Sequence, residues 1–160
     1  MGVFSNWLVR KGFPAYVEKF SVWELIKKTG RKWICQNLAP NCVLLPVRIA
    51  LYRLCGFKIG QNVFIGMKCY LDDLCVSKCI IEDDVTISYG VYVTQHGPGQ
   101  GHNYLVFRKG AYVGMRANIT ARHDLEIGEN AVIGASTLVN KSVPAGVTCV
   151  GIPGRLLNKD

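Results

Sequence analysis

Large aliphatic or aromatic residues recur every six positions from Ile59 onward. Ile59, Ile65 and Leu71 make one run, and Ile81, Ile87 and Val93 a second. Phe107, Val113 and Ile119 make a third, and Ile127, Ile133 and Val139 a fourth. Four positions after most of these stands a small or β-branched residue, as at Val63, Cys69, Val85, Val91, Ala111, Ala117, Ala131 and Thr137. Gly or Asn often lies between, as at Gly60, Asn62, Gly66, Gly90, Gly110 and Asn130. A period of six matches neither the roughly 3.6-residue repeat of a helix nor the two-residue repeat of a strand. It predicts a triangular coil with three short strands and three corners in each turn of about eighteen residues. The large and small repeat positions turn inward and stack on their equivalents one turn away. Corners need tight backbone, some of it at positive φ, which Gly and Asn accept most readily. A sandwich with evenly spaced strands has no reason to keep the repeats in phase.

The repeat breaks in three places. Four extra residues separate Leu71 from Ile81, eight separate Val93 from Phe107, and two separate Ile119 from Ile127. The longest break carries Gly97-Pro98-Gly99-Gln100-Gly101, which predicts a protruding loop over residues 96–106. Insertions on a repeat scaffold are where function concentrates. Residues 1–58 lack the repeat altogether. Ser21-Val22-Trp23-Glu24 reads as a capping box, with Phe20 and Leu25 placed as its staple. Trp23, Ile26, Trp33 and Ile34 mark the apolar face of the helix it opens. A second helix is expected from about Val43 or Pro46 to Cys55, with Gly56 at its C-terminal cap. The expected organisation is a helical cap over residues 1–58, packed on the open end of a coil domain over residues 59–160 that ends in a tail.

The repeat, the phrase Ile81-Glu82-Asp83-Asp84-Val85-Thr86-Ile87, the loop opened by Thr94-Gln95-His96 and the stretch Ile133-Gly134-Ala135-Ser136-Thr137-Leu138-Val139-Asn140-Lys141 occur together. With the tail Val150-Gly151-Ile152-Pro153-Gly154-Arg155, they resemble the hexapeptide-repeat acyltransferases, whose fold is a left-handed parallel β-helix. The resemblance covers about residues 50 to 156. Within that family the chain is similar to small sugar and polysaccharide O-acetyltransferases. The lead-in Leu51-Tyr52-Arg53-Leu54-Cys55-Gly56-Phe57-Lys58 carries that finer likeness. The resemblance implies homotrimers, acetyl-CoA in grooves between subunits, and direct transfer of the acetyl group to a sugar or glycan hydroxyl. Acetyl transfer to another acceptor (an amino sugar, serine or an antibiotic) is the alternative, and a noncatalytic binding or assembly module is the rival from another class.

Moving an acetyl group to a hydroxyl needs a base of near-neutral pKa, donors for the tetrahedral oxyanion, and cations for the cofactor phosphates. His96 is the expected base and matches the family's catalytic His. Relatives often carry Asp or Asn directly after that His; here the residue is Gly97, so the group that orients the imidazole is open. By resemblance, Met115 and Ala135 offer backbone to the thioester and pantetheine, and Asn140, Lys141 and Arg155 meet the nucleotide end, with cations suited to phosphate. Lys159 is a further cation in the tail. Asp72 and Asp73 stand where relatives place acceptor-binding polar residues, and carboxylates accept hydrogen bonds from sugar hydroxyls. Solvation of the break is the equal alternative for them. Tyr89 and Tyr92 are candidates to flank the pocket. His102 reads as a loop residue and His123 as a corner packed against Asp124. No metal is expected, because His96, His102 and His123 lack the spacing of the zinc-binding β-helix carbonic anhydrases.

Composition refines this picture in three ways. The 160 residues suit one domain, and 49% apolar with 19% charged residues excludes a mainly disordered chain. The seven cysteines form no Cys-x-x-Cys pair, and without a recognisable signal peptide they are expected to be reduced thiols in the cytoplasm. The formal net charge of +8 is lopsided: residues 1–58 hold 10 Lys and Arg against 2 acids, whereas residues 59–160 hold 9 of each. In residues 1–58 the basic residues alternate with Trp7, Phe13, Phe20, Trp23 and Trp33. That pattern suits either a solvated polar face or peripheral contact with an anionic membrane on its inner side. No nucleic-acid motif accompanies it.

Overall fold

The computed structural model describes residues 7, 10–12, 21–96 and 103–157. The expected staple partner Phe20, most of the 96–106 loop with His102, and Lys159 lie outside these residues. Four successive coils wind as a left-handed parallel β-helix. β1 (Lys58–Ile59), β2 (Phe64–Ile65) and β3 (Tyr70–Leu71) make the first coil, and β4 (Cys79–Ile81), β5 (Thr86–Ile87) and β6 (Tyr92–Thr94) the second. β7 (Leu105–Phe107), β8 (Tyr112–Val113) and β9 (Asn118–Thr120) make the third, and β10 (Leu125–Ile127), β11 (Val132–Ile133) and β12 (Leu138–Val139) the fourth. β13 (Thr148–Val150) continues below β11, and β14 (Arg155–Leu157) turns back antiparallel on β13.

The strands form three faces: β1-β4-β7-β10, β3-β6-β9-β12, and the six-stranded β2-β5-β8-β11-β13-β14. Register follows the repeat. Ile59, Ile81, Phe107 and Ile127 align on the first face, and a bridge adds Val143. Ile65, Ile87, Val113, Ile133 and Cys149 align on the six-stranded face, and Leu71, Val93, Ile119 and Val139 on the third. Apart from Ile59, which is half-buried, all of these side chains are buried, as are the small partners Val63, Cys69, Val85, Val91, Ala111, Ala117 and Ala131. The backbone is left-handed two residues before most strands: Asn62, Lys68, Asp84, Gly90, Gly110, Arg116, Asn130, Ser136 and Gly146.

Two helices precede the coil. α1 (Val22–Trp33) opens on the expected capping box: the Ser21 hydroxyl accepts the Glu24 N–H at 3.3 Å, and the Glu24 carboxylate accepts the Ser21 N–H at 2.8 Å. It runs into a π-helical segment, Ile34–Leu38, and a short 3-10 turn, Ala39–Asn41. α2 (Leu45–Leu54) has Pro46 in its first turn and ends before Gly56 at φ 104°. Cys35, Ile49, Tyr52 and Phe57 join the coil residues in one continuous core, and the Tyr52 hydroxyl donates to the Cys69 carbonyl at 3.3 Å. The end of the first coil is therefore covered by α2 and the π-helical segment. Of the expected apolar face, Ile34 at the C-cap of α1 packs against this core, whereas Trp23, Ile26 and Trp33 are exposed, and α1 itself buries no residue.

Candidate active site

All three insertions fall at the same corner, where the third face turns into the first. They occupy the connections β3 to β4, β6 to β7 and β9 to β10, while the ladders on either side stay in register. One edge of the prism thus collects every irregular segment. Pairing of Leu71 with Val93 sets the end of β3 beside the end of β6, although the partners are 22 positions apart in the chain. Asp72 follows the first strand and His96 follows the second.

The structure joins these two residues. Asp72 is fully buried, and its Oδ2 lies 2.6 Å from His96 Nδ1. The same oxygen accepts the Gln95 N–H at 2.8 Å, and Oδ1 accepts the Leu74 N–H at 3.0 Å. A carboxylate only accepts, so Nδ1 is the nitrogen that carries the hydrogen in the neutral ring, and Nε2 is the one turned away from Asp72. The His96 side chain is 36% exposed, which leaves it reachable. Below it, Gln95 and Asn103 clamp the two ends of the long loop. The Asn103 N–H donates to the Gln95 carbonyl at 3.2 Å, and Gln95 Nε2 donates to the Asn103 carbonyl at 3.1 Å. Asn103 Nδ2 donates in turn to Ala121 O at 2.8 Å, tying the loop base to the next coil.

Asp72 and Asp73, the expected acceptor-binding residues, both have partners within the chain. Asp72 spends both oxygens on protein donors, and Asp73, also buried, accepts Gln36 Nε2 from the π-helical segment at 2.8 Å. Burying a carboxylate is costly unless donors surround it, and these donors come from inside the chain. Sequence reasoning missed Gln36, Gln95 and Asn103. Beside the acids, Tyr70 stacks on Tyr92 with ring centroids 4.4 Å apart and planes 12° from parallel. Burial, and after it the nearby Asp72 carboxylate, pushes the Tyr70 phenol up to about 12. Tyr92 and Tyr89 are exposed. Cys75, whose thiol faces the Gln95 carbonyl at 3.9 Å, is pushed up to about 11 by burial and by Asp72, so it stays protonated at neutral pH and is a poor nucleophile.

The expected cofactor residues occupy two edges. Met115 and Ala135 are stacked neighbours at the corner between the six-stranded face and the third face, both exposed, and the Ser136 N–H donates to the Met115 carbonyl at 2.8 Å. A Cβ on Gly114 would lie 2.6 Å from the Ala135 nitrogen, so only glycine permits this approach. The tail crosses below the same corner, where the Gly154 N–H donates to Leu138 O at 2.7 Å, and places exposed Arg155 there. Asn140 and Lys141 are exposed on the His96 edge, two coils further on. One chain alone therefore brings His96 together with Asp72, and Met115 with Ala135 and Arg155, without joining the two groups. His123 is exposed, and its neighbour Asp124 accepts the Tyr104 N–H at 2.8 Å. Among the described residues, no three His, Cys, Asp or Glu side chains gather as a metal site.

A model of the hexapeptide repeat of succinyl-transferase matches residues 56–95. A serine acetyltransferase of Salmonella typhimurium is 35% identical over 153 residues, covering 95% of this chain and 53% of its own length. A hexapeptide-repeat acetyltransferase from Vibrio cholerae superposes with a TM-score of 0.61 at 18% identity, covering 88% of this chain and 95% of that one. A serine acetyltransferase solved in complex with CoA gives a TM-score of 0.52 at 26% identity, covering 70% of this chain and 48% of that one. The chain spans about half the length of the curated relatives it matches. The repeat, the ladders it builds and these likenesses together identify a hexapeptide-repeat chain with the left-handed parallel β-helix fold, similar to acetyltransferases.

Proposed function

We propose that the chain transfers the acetyl group of acetyl-CoA to a hydroxyl, with His96 as general base. The observation that carries this is the 2.6 Å contact between His96 Nδ1 and the buried Asp72 carboxylate. His96 Nε2 takes the hydroxyl proton as the oxygen attacks the thioester carbon. Asp72 holds the ring in the productive tautomer and steadies the imidazolium that forms. When the carbon–sulfur bond breaks, His96 returns the proton to the departing CoA sulfur. Ala135 and Met115 would flank the pantetheine arm, and Asn140, Lys141 and Arg155 the nucleotide end. These exposed groups fit such a ligand, because a small side chain permits close approach and cations suit phosphate.

Serine is the favoured acceptor, since the relatives that match most of this chain are serine acetyltransferases. The stacked Tyr70–Tyr92 pair beside Asp72 favours a second reading, a sugar or glycan hydroxyl, because flat aromatic surfaces suit apolar ring faces. Homotrimers belong to the same reading. The two separate site edges are completed if a neighbouring copy brings its Met115 edge to His96, and exposed Phe64, Tyr112 and Val132 give the six-stranded face an apolar surface for a symmetric partner. A lipid-linked acceptor would place the enzyme on the inner face of a membrane, with residues 1–58 supplying positive charge.

Thiol release from acetyl-CoA, measured across serine, amino sugars and sugar acceptors, tests the proposal. His96→Ala is expected to lower kcat with the best acceptor by about a hundredfold or more. An unchanged rate would overturn the assignment, and no thiol release with any hydroxyl acceptor would return the chain to a noncatalytic role.

A further inference from the structure

α1 leaves its apolar face uncovered. At about 100° per residue, Val22, Trp23, Ile26 and Trp33 share one face. That face would ordinarily turn to the core. Here Trp23 is 65% exposed, Ile26 54% and Trp33 57%, and no residue of the helix is buried. A cleft of about 440 Å³ lies between the helix and the end of α2, lined by Lys27, Lys28, Gly30 and Arg31 with Ile34, Leu54 and Cys55. On the polar side only Arg31 is half-buried, Ile34 just past the helix packs on the core, and the Trp23–Ile26–Trp33 face lies open. Lys27 and Lys32 border the apolar face, one on each side.

We propose that α1 is a membrane-surface helix whose Trp23–Ile26–Trp33 face enters the headgroup layer of an anionic bilayer. Charge decides the occupant. The face is flanked by cations, and residues 1–58 carry the whole net charge of +8, which an anionic lipid surface complements and a second copy of the same basic segment would repel. The two tryptophans sit at the depth such rings prefer, and the flanking lysines reach back to the phosphates along their own stems. α1 is 12 residues long, and no helix among the described residues is long and apolar enough to cross a membrane, so the contact is an in-plane one. The inference rests on the peripheral-contact reading of residues 1–58 and not on acetyl transfer.

Flotation of the full chain with phosphatidylcholine vesicles, with and without about a third phosphatidylglycerol, tests it. The chain is expected to float with the anionic vesicles, less so in high salt. Trp23→Ser/Trp33→Ser is expected to weaken binding at least tenfold, and Lys27→Ser/Lys32→Ser about fivefold per cation removed. Both variants should release thiol with a soluble acceptor at the parental rate, which separates failure of this inference from failure of the acetyltransferase assignment. Absence of binding to anionic vesicles would overturn it, as would unweakened binding by the tryptophan variant. A fall in assembly mass of that variant by sedimentation would also overturn it, by placing the face between copies.

Discussion

In the proposed mechanism Asp72 acts on His96 through its charge as well as its position. Replacing it with Asn keeps the shape but removes the charge, and an amide nitrogen can present a donor to Nδ1 and favour the wrong tautomer. Asp72→Asn is expected to lower kcat about a hundredfold or more with KM for acetyl-CoA little changed, and steady-state kinetics beside a circular dichroism melt will show whether the fold is intact. His96 was legible in the sequence because it opens the longest break in the repeat. Its partner was not, because the pairing depends on the Leu71–Val93 register, and the sequence marks both acids only as polar corner residues. Gln36 was hidden for a similar reason: its partner Asp73 lies 37 positions away, in another kind of structure.

Elements show the same division between what is local and what is assembled. The hexapeptide pattern sufficed for the inward ladders, and the Ser21–Glu24 box for the start of α1, because both are written in neighbouring residues. Corners were legible only where Gly or Asn marks them. Lys68, Asp84, Arg116 and Ser136 adopt φ between 56° and 60° with no such sign, since the coil imposes the turn on whatever residue stands there. Arg116→Gly is therefore expected to leave stability unchanged or raise it by up to about 1 kcal/mol, because it relieves left-handed strain and loses little else. Gly114→Ala should do the reverse. Its new methyl would meet the Ala135 backbone, which cannot swing aside, at a cost of about 1–3 kcal/mol or more in chemical denaturation. Amphipathicity of α1 was equally plain in the sequence. Where its apolar side points was not, because that depends on α2 and the π-helical segment already filling the end of the coil.

At the scale of the whole molecule, the buried thiols and phenols set an alkaline limit. Burial pushes Cys75 up to about 11 and Cys79 up to about 12, from 9.0, and Tyr70 up to about 12, from 10.0. The unfolded chain releases these protons first, so their contribution to stability is intact below about pH 9 and is lost as pH rises toward 12. Urea midpoints are expected to hold from pH 7 to 8.5 and to fall steadily above pH 9.5, and a midpoint rising over that range would contradict this account. Charge is divided on the same scale: residues 59–160 are formally neutral, and residues 1–58 hold the whole net charge of +8.

Concentrating every insertion on one edge also bears on how such a protein can diverge. Successive ladder partners on the first face are 22, 26 and 20 residues apart, yet each coil rises onto the next in the same register. Length can therefore accumulate beside His96 while the other two corners are copied unchanged. Between the Gln95 and Asn103 clamp, a duplication or a grafted peptide would meet only the slow logarithmic cost of a longer loop. If His96 is the base proposed above, the edge beside it is open to rapid inheritance of new specificities, and the scaffold that presents it is not.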